Sequence, residues 1–302
     1  MPGSGLFDLP LPAAVVCHDA GAANISLASM RAHAAMHPGA ARGWRLLAQG
    51  PAAGLWAEAS VDLVTQCQSI DELIGGAAVL LSGTGWASDL EHEARAAATT
   101  RGIPSLAVID HWVNYRGRFV RNGLQVLPDE IVVTDEYAAE EARRCFPGLP
   151  IRTEPNLYLQ ASVDGIAPLK AGRPEVLYVL EPVRAAWATP IAGEFQALDY
   201  FLANLAKLGL AQDTLIRLRP HPSDPAGKYD KWIESRSQFN VRLDDAPSLA
   251  AAIGRVAWVA GCESYAMVVA LHAGRKVVST LPPWGHGCRL PQGAIIHLKE
   301  LA

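Results

Sequence analysis

The sequence predicts an α/β protein of two Rossmann-like, doubly wound lobes, with a working cleft between them. Three observations lead there. Short apolar runs alternate with longer mixed segments, as strands alternate with helices. The alternation runs from Ala13 to Cys145, lapses across a Pro- and Gly-rich stretch, and restarts at Glu175. At 302 residues, the chain is long enough for two cores of ordinary size.

Ala13 to Cys17 (Ala-Ala-Val-Val-Cys) reads as the first strand, and after the turn His18 to Asn24 a helix runs to about His37. Further strands are expected at Trp44 to Ala48, Val61 to Thr65, Ala77 to Leu81, Ser105 to Ile109 and Glu130 to Thr134. These runs lack strict alternation, which suits parallel strands covered on both faces. Helices are expected over Ser69 to Ile74, Ser88 to Thr100 and Glu136 to Cys145, and Ser69 and Glu72 have capping-box spacing. Ile151 to Arg173, with Pro155, Gly165, Pro168 and Gly172, reads as the inter-domain connection, giving lobes over 1–160 and 161–302. In the second lobe Glu175 to Leu180, Thr214 to Leu218, Asn240 to Leu243, Val256 to Ala260 and Lys276 to Ser279 read as strands. Ile191 to Lys207, Ser248 to Ile253 and Ser264 to Ala273 read as helices.

Half the residues are hydrophobic and 19% are charged, a composition that supports a packed core rather than disorder. A net charge of −4 gives no electrostatic reason to expect nucleic acid as a partner. Met1 to Pro12 has neither the basic region nor the apolar run of a signal peptide, and no apolar run approaches membrane-spanning length. Membrane contact, if any, is peripheral. Five scattered cysteines lack CxxC or Cys/His ligand spacing, which points to reduced thiols in a cytoplasmic protein and no metal site.

Ligands of such lobes bind at the carboxyl ends of the strands, so residues just after each strand are the candidates. Arg217-Leu218-Arg219-Pro220-His221-Pro222-Ser223-Asp224 follows a C-lobe strand, and its prolines fix the backbone around His221. Arg219 and His221 can donate to a phosphate; a rigid, exposed turn is the plainer alternative. Gly261-Cys262-Glu263-Ser264 lies between a strand and a helix. There Gly261 permits close approach, Ser264 and its neighbours present amides to an anion, and Glu263 can take a ribose hydroxyl pair. An N-cap serine and a glutamate favouring the helix dipole explain the same residues.

The Arg-Pro-His-Pro segment, with a Gly/Ser-containing strand-to-helix turn further along, resembles the C-terminal lobe of GT-B-type glycosyltransferases that use cytidine nucleotides. Bacterial sialyltransferases, Kdo transferases and the glycerophosphotransferases of teichoic acid synthesis share such a His-Pro element. The resemblance covers roughly Glu175 to Thr280. It implies that His221 and Pro222 line a nucleotide site and that Ser264 meets its phosphate. Cys262-Glu263-Ser264 departs from the paired hydroxyl residues frequent in those families.

In the N-lobe, His18 and Asp19 open the first turn as a candidate acid/base pair, with Asn24 beyond them. The turn lacks GxGxxG, so it is no dinucleotide fingerprint. Ser82-Gly83-Thr84-Gly85-Trp86 offers Ser82, Thr84 and an aromatic platform, Trp86, for a sugar ring. Tight-turn packing explains both segments equally well. Ile109 to Arg116 is the densest polar and aromatic cluster: His111, Trp112, Asn114 and Tyr115 are carbohydrate-contacting residue types, and a capped surface loop is the alternative. Asp110 at its head is the first candidate for the base of an inverting transfer, and Glu181 is a second carboxylate at a strand end. Either carboxylate can instead cap a helix.

The expected function is glycosyl transfer from a nucleotide-activated sugar, CMP-linked and Kdo-like or sialic-acid-like, to a glycan or protein acceptor in surface-polysaccharide synthesis. No cofactor is expected; basic side chains and helix amides meet the leaving-phosphate charge. The alternatives are a nucleotide-sugar hydrolase or epimerase of the same fold, and a non-catalytic nucleotide- or sugar-binding protein. Hydrolases of the pseudaminic acid pathway also carry a His in the first turn, as His18 is here, but with a glycine-flanked motif this chain does not reproduce.

Overall fold

The computed structural model describes residues 6, 8–37, 43–59, 64–169, 172 and 174–302. The chain divides into two compact units, Met1–Gln160 and Ala161–Ala302.

In the N-terminal unit the elements run β1 (Ala13–Cys17), α1 (Ala20–Met36), β2 (Trp44–Ala48), α2 (Gly50–Ala59), β3 (Val64–Gln66), α3 (Ile70–Ile74), β4 (Val79–Ser82), α4 (Leu90–Thr100) and β5 (Ser105–Val108). A small antiparallel hairpin, β6 (Val120–Arg121) and β7 (Leu124–Gln125), precedes β8 (Glu130–Val133), α5 (Glu136–Cys145) and β9 (Ile151–Thr153). The main sheet has the order β3-β2-β1-β4-β5-β8-β9 and every pair in it is parallel. The reason is visible in β1, where all five residues are buried. Ala13, Val15 and Cys17 join one core with α1 and α2, while Ala14 and Val16 join a second with α3 and α4. A strand apolar on both faces needs helices on both faces, and parallel pairing supplies them.

The C-terminal unit repeats the plan. It begins with α6 (Leu157–Asp164), which spans the division, and continues β10 (Val176–Val179), α7 (Gly193–Ala203), β11 (Ile216–Arg219), α8 (Asp230–Glu234) and β12 (Val241–Leu243). It closes with α9 (Leu249–Arg255), β13 (Trp258–Gly261), α10 (Tyr265–His272), β14 (Lys276–Ser279) and β15 (Ile296–His297). The sheet order is β12-β11-β10-β13-β14-β15, again all parallel. Val176, Tyr178, Leu218 and Ala260 pack with Leu198 and Phe201 of α7, and α10 packs on β13 and β14. In both sheets the first strand is central and the strand order reverses beside it, between β1 and β4 and between β10 and β13. That reversal marks the carboxyl edge where doubly wound sheets bind ligands.

Two sequence expectations need correction. Residues 151–173 are not a bare connection: β9 pairs with β8, and α6 follows. With three residues and one large apolar side chain, an edge strand between two prolines leaves little periodic signal. Residues 50–59, read as no element, form α2; its Gly-Pro start and internal Gly54 hide a helix whose proline sits in the permissive first turn. The expected strand at 61–65 falls partly outside the described residues, and the structure places β3 at Val64–Gln66.

Phe201 is fully buried, its ring 5.4 Å from that of Tyr178. Phe201→Ala is expected to lower unfolding stability by about 3–5 kcal/mol in urea denaturation, the range for deleting a buried aromatic. A loss below about 1 kcal/mol would contradict this packing.

Candidate functional site

At the carboxyl edge of the first sheet, β1 ends at Cys17 and the chain turns into α1 through His18 and Asp19. His18 donates its Nδ1 proton to Asp19 Oδ1 at 2.8 Å, and both side chains are partly exposed. The other ring nitrogen, Nε2, lies against Gly50, where φ is +52° and a Cβ would press on the imidazole. Only glycine serves both needs there. The His18 amide donates to Glu91 Oε1 at 2.9 Å and the Gly85 amide donates to Glu91 Oε2 at 2.5 Å. Buried Glu91, in the first turn of α4, thus ties the β1–α1 turn to the β4–α4 loop. Burial pushes its carboxyl above the usual range, although these amides and Arg95 pull it back.

Asp110, which follows β5, meets the first turn of α1 so closely that a Cβ on Gly21 would collide with its carboxylate. Its Oδ1 accepts from Arg118 Nη1 at 2.7 Å. Arg118 is buried, donates also to Thr84 Oγ1 at 3.1 Å, and stacks its guanidinium 4.8 Å from the centre of the Trp86 ring. His18, Asp19, Thr84, Trp86 and Asp110 therefore form one assembly, and Trp86 is half exposed.

Several expected substrate contacts turn inward instead. Ser82 and Thr84 are buried and donate to the β5 carbonyls of Leu106 and Val108, at 3.3 and 2.9 Å. Tyr115 is buried in the core with α5 and donates to the Ala138 carbonyl at 3.3 Å. Trp112 gives its Nε1 proton to Asp135, the N-cap of α5. These side chains satisfy polar groups that packing would otherwise strand. His111 is half-buried and accepts the Trp112 amide, Asn114 is exposed with φ +59°, and Asn24 is half-buried in α1.

In the C-terminal unit one pocket of about 420 Å³ opens at the carboxyl edge. Arg219, Pro220, His221, Pro222, Asp244 and Ser264 line it. A pocket this size is ordinary for a small-molecule ligand. His221 is exposed, and its Nδ1 accepts the Ser223 amide at 3.2 Å, which in the neutral ring leaves the proton on Nε2. The turn is fixed from below by Asp224, which accepts the His221 amide, Lys228 Nζ and Tyr229 Oη. Burial raises the Asp224 carboxyl, but those three donors outweigh it and hold it below the usual range. Arg219 keeps part of its guanidinium on Asp244 Oδ2 at 2.5 Å and on the Ala246 carbonyl at 3.2 Å.

Ser264 caps α10, accepting the Ala266 amide at 3.3 Å. Glu263 turns the other way: it is buried, and its carboxylate takes the Arg289 backbone amide at 2.9 Å together with the Arg289 guanidinium. Glu181, which follows β10, reaches across the strand-order reversal and accepts the Glu263 amide at 2.7 Å. Burial pushes the Glu181 carboxyl up to about 7, helped by the Glu263 charge and opposed by the Glu263 and Ser264 amides and by Arg289. Among the described residues no cluster of three or more His, Cys, Asp and Glu is arranged to hold a metal ion, and no helix is long and apolar enough to cross a membrane.

No protein-family model and no curated protein matches this sequence. Solved structures match its fold. UDP-N-acetylglucosamine 2-epimerase from Rickettsia bellii superposes with a TM-score of 0.52 at 11% identity, over 89% of this chain and 79% of that one. MnaA of S. aureus, solved with UDP, gives 0.53 at 9%, over 88% and 78%. HepE of Anabaena, in complex with UDP and glucose, gives 0.50 at 12%, over 90% and 81%. The fold is GT-B.

Within this GT-B chain Glu91, Arg95, Arg118, Asp244 and Arg289 are the site residues that the sequence does not single out. Arg118 had the best available signal, since it sits eight positions past Asp110 in the same polar cluster. Glu91 had only its place in the first turn of a helix.

The raised Glu181 carboxyl has a direct consequence for stability. The folded chain holds a proton at Glu181 that the unfolded chain releases near 4.5, so this contribution is full at low pH and is lost as pH rises through about 7. Relative to the parent, Glu181→Gln is expected to gain thermal stability as pH goes from 5 to 8. Parallel melting-temperature profiles for the two proteins would contradict the assignment.

Proposed function

We propose that this chain is a nucleotide-sugar-dependent glycosyltransferase: the C-terminal unit carries residues suited to a nucleotide, and the N-terminal unit carries a His-Asp pair suited to accepting a proton. The observation that carries the reading is the pocket that gathers Arg219, His221, Pro222 and Ser264 at one sheet edge. His221 Nε2–H and the amides opening α10 are donors suited to a phosphate. The UDP-bound neighbours support a nucleotide at this fold, and the Arg-Pro-His-Pro resemblance supports a cytidine nucleotide with a keto-acid sugar.

In this scheme Asp19 holds the His18 ring with Nδ1 protonated, so Nε2 is the base. His18 Nε2 takes the proton from an acceptor hydroxyl as that oxygen bonds to the anomeric carbon. The bond from that carbon to the nucleotide phosphate oxygen breaks, and its electron pair leaves with the phosphate. His221 and the α10 amides meet the new charge without a metal. We assign the base to His18 ahead of Asp110, because Arg118 engages Asp110 while nothing engages His18 Nε2 among the hydrogen bonds described. Asp110 then holds Arg118 and, through it, the Trp86 ring.

A second reading keeps the same residues. The Rickettsia bellii neighbour is a 2-epimerase, and a His-Asp pair can also draw a proton from a sugar carbon or from water.

A panel of CMP-, UDP- and CDP-linked sugars, with and without hydroxyl acceptors, separates these readings: transfer needs the acceptor, while hydrolysis and epimerisation do not. His18→Ala is expected to lower turnover by at least about 10²-fold with nucleotide affinity unchanged. His221→Ala is expected to weaken nucleotide binding by about 1.5–3 kcal/mol. Full turnover in a folded His18→Ala protein, with loss only in Asp110→Asn, would return the base to Asp110.

A further inference from the structure

One of the amides assigned to the nucleotide phosphate, that of Ser264 in the pocket lining, already faces the Glu181 carboxylate. The Glu263 amide, one residue before the α10 N-cap, already donates to Glu181 Oε1 at 2.7 Å. A second carboxylate, Glu263, is buried beside it; the Arg289 guanidinium hydrogen-bonds Glu263 and reaches Glu181 only through its charge. The other titratable groups around Glu181 are Tyr178 on β10, Cys262 after β13 and Cys288 after β14, with His286 3.8 Å from Glu263. Tyr178 and Cys262 are buried and Cys288 is half-buried; burial raises all three, so they add no charge near neutral pH. A phosphate at the Ser264 amide would face Glu181 and Glu263 with Arg289 beside them, while Arg219 of the pocket lining is already held by Asp244. Repulsion of that kind is relieved most cheaply by adding a proton.

We propose that Glu181 sets the ligand selectivity of the C-terminal pocket: its carboxylate acts as a built-in stand-in for a phosphate, and a nucleoside phosphate seats there only as Glu181 takes up a proton. The inference rests on the pocket being the nucleotide site. Protonated Glu181 no longer repels the phosphate and can donate its O–H to a phosphate oxygen. A nucleoside without phosphate needs no such proton. Burial already brings the Glu181 carboxyl to about 7, so the uptake occurs within an ordinary working range.

Calorimetry on the full chain tests this with CMP and UDP as probes, and cytidine and uridine as controls. Work between pH 7.5 and 9 keeps the free phosphates fully ionised, since their second pKa is about 6. The expected result is that nucleotide affinity falls by about tenfold per pH unit, with up to about one proton taken up when buffers of different ionisation heat are compared. Nucleoside binding should not change with pH. In Glu181→Gln the nucleotide affinity should vary by less than about twofold over the same range.

Nucleotide binding by the parent chain with no proton uptake and no pH dependence would overturn the inference and leave the pocket's function standing. A pH dependence that persists unchanged in Glu181→Gln would move the proton to another group. Failure of both CMP and UDP to bind at every pH would overturn both the inference and the proposed site. The parent-chain measurement stands alone if the variant does not fold.

Discussion

Parallel pairing is the constraint from which the rest follows. Because β1, β4 and β5 run the same way, every strand-to-helix turn of the first sheet falls on one edge. The same holds for β10, β11, β13 and β14 of the second. Each edge is therefore a row of loop amides and helix amino ends, rich in donors and poor in acceptors. Buried carboxylates meet that excess: Glu91 accepts two loop amides in the first unit, and Glu181 accepts the Glu263 amide in the second. The candidate chemistry grows on this scaffold, since the turn that exposes His18 is the one Glu91 pins.

The two edges answer the same physical problem with different residues. In the first unit buried Arg118 pairs with Asp110, while buried Arg95 donates to the Gly83 carbonyl and is pulled down to about 10 by burial. The His18–Asp19 pair sits at that edge, partly exposed. In the second unit Arg219, Lys228 and Arg289 are each held by a carboxylate, and Glu181 has no ion-pair partner of its own among the described residues.

Much of this was legible in the sequence where local chemistry dictates local structure. The strands declared themselves as apolar runs, and the proline pair around His221 and the Gly–Ser punctuation at 261–264 marked the turns that line the pocket. The His18–Asp19 pair was legible because the two residues are adjacent. Glu91 was not, because its partners lie 73 and 6 residues away and only the closed sheet unites them. Arg118 reads as a surface cation until Thr84, 34 residues earlier, and Trp86 enclose it. Tyr115 and Trp112 misled for the converse reason: residues typical of sugar contacts are equally good at closing a core when α5 offers the Ala138 carbonyl and Asp135.

The central claim is that the carboxyl edge of the second sheet holds a nucleotide. Hydrogen exchange of the full chain, read by mass spectrometry with and without saturating CMP or UDP, tests it most directly. The account predicts slowed exchange in peptides covering 219–224 and 261–266. Protection confined to the opposite edge of that sheet, around 209–215 and 240, or found only in residues 1–160, would contradict it.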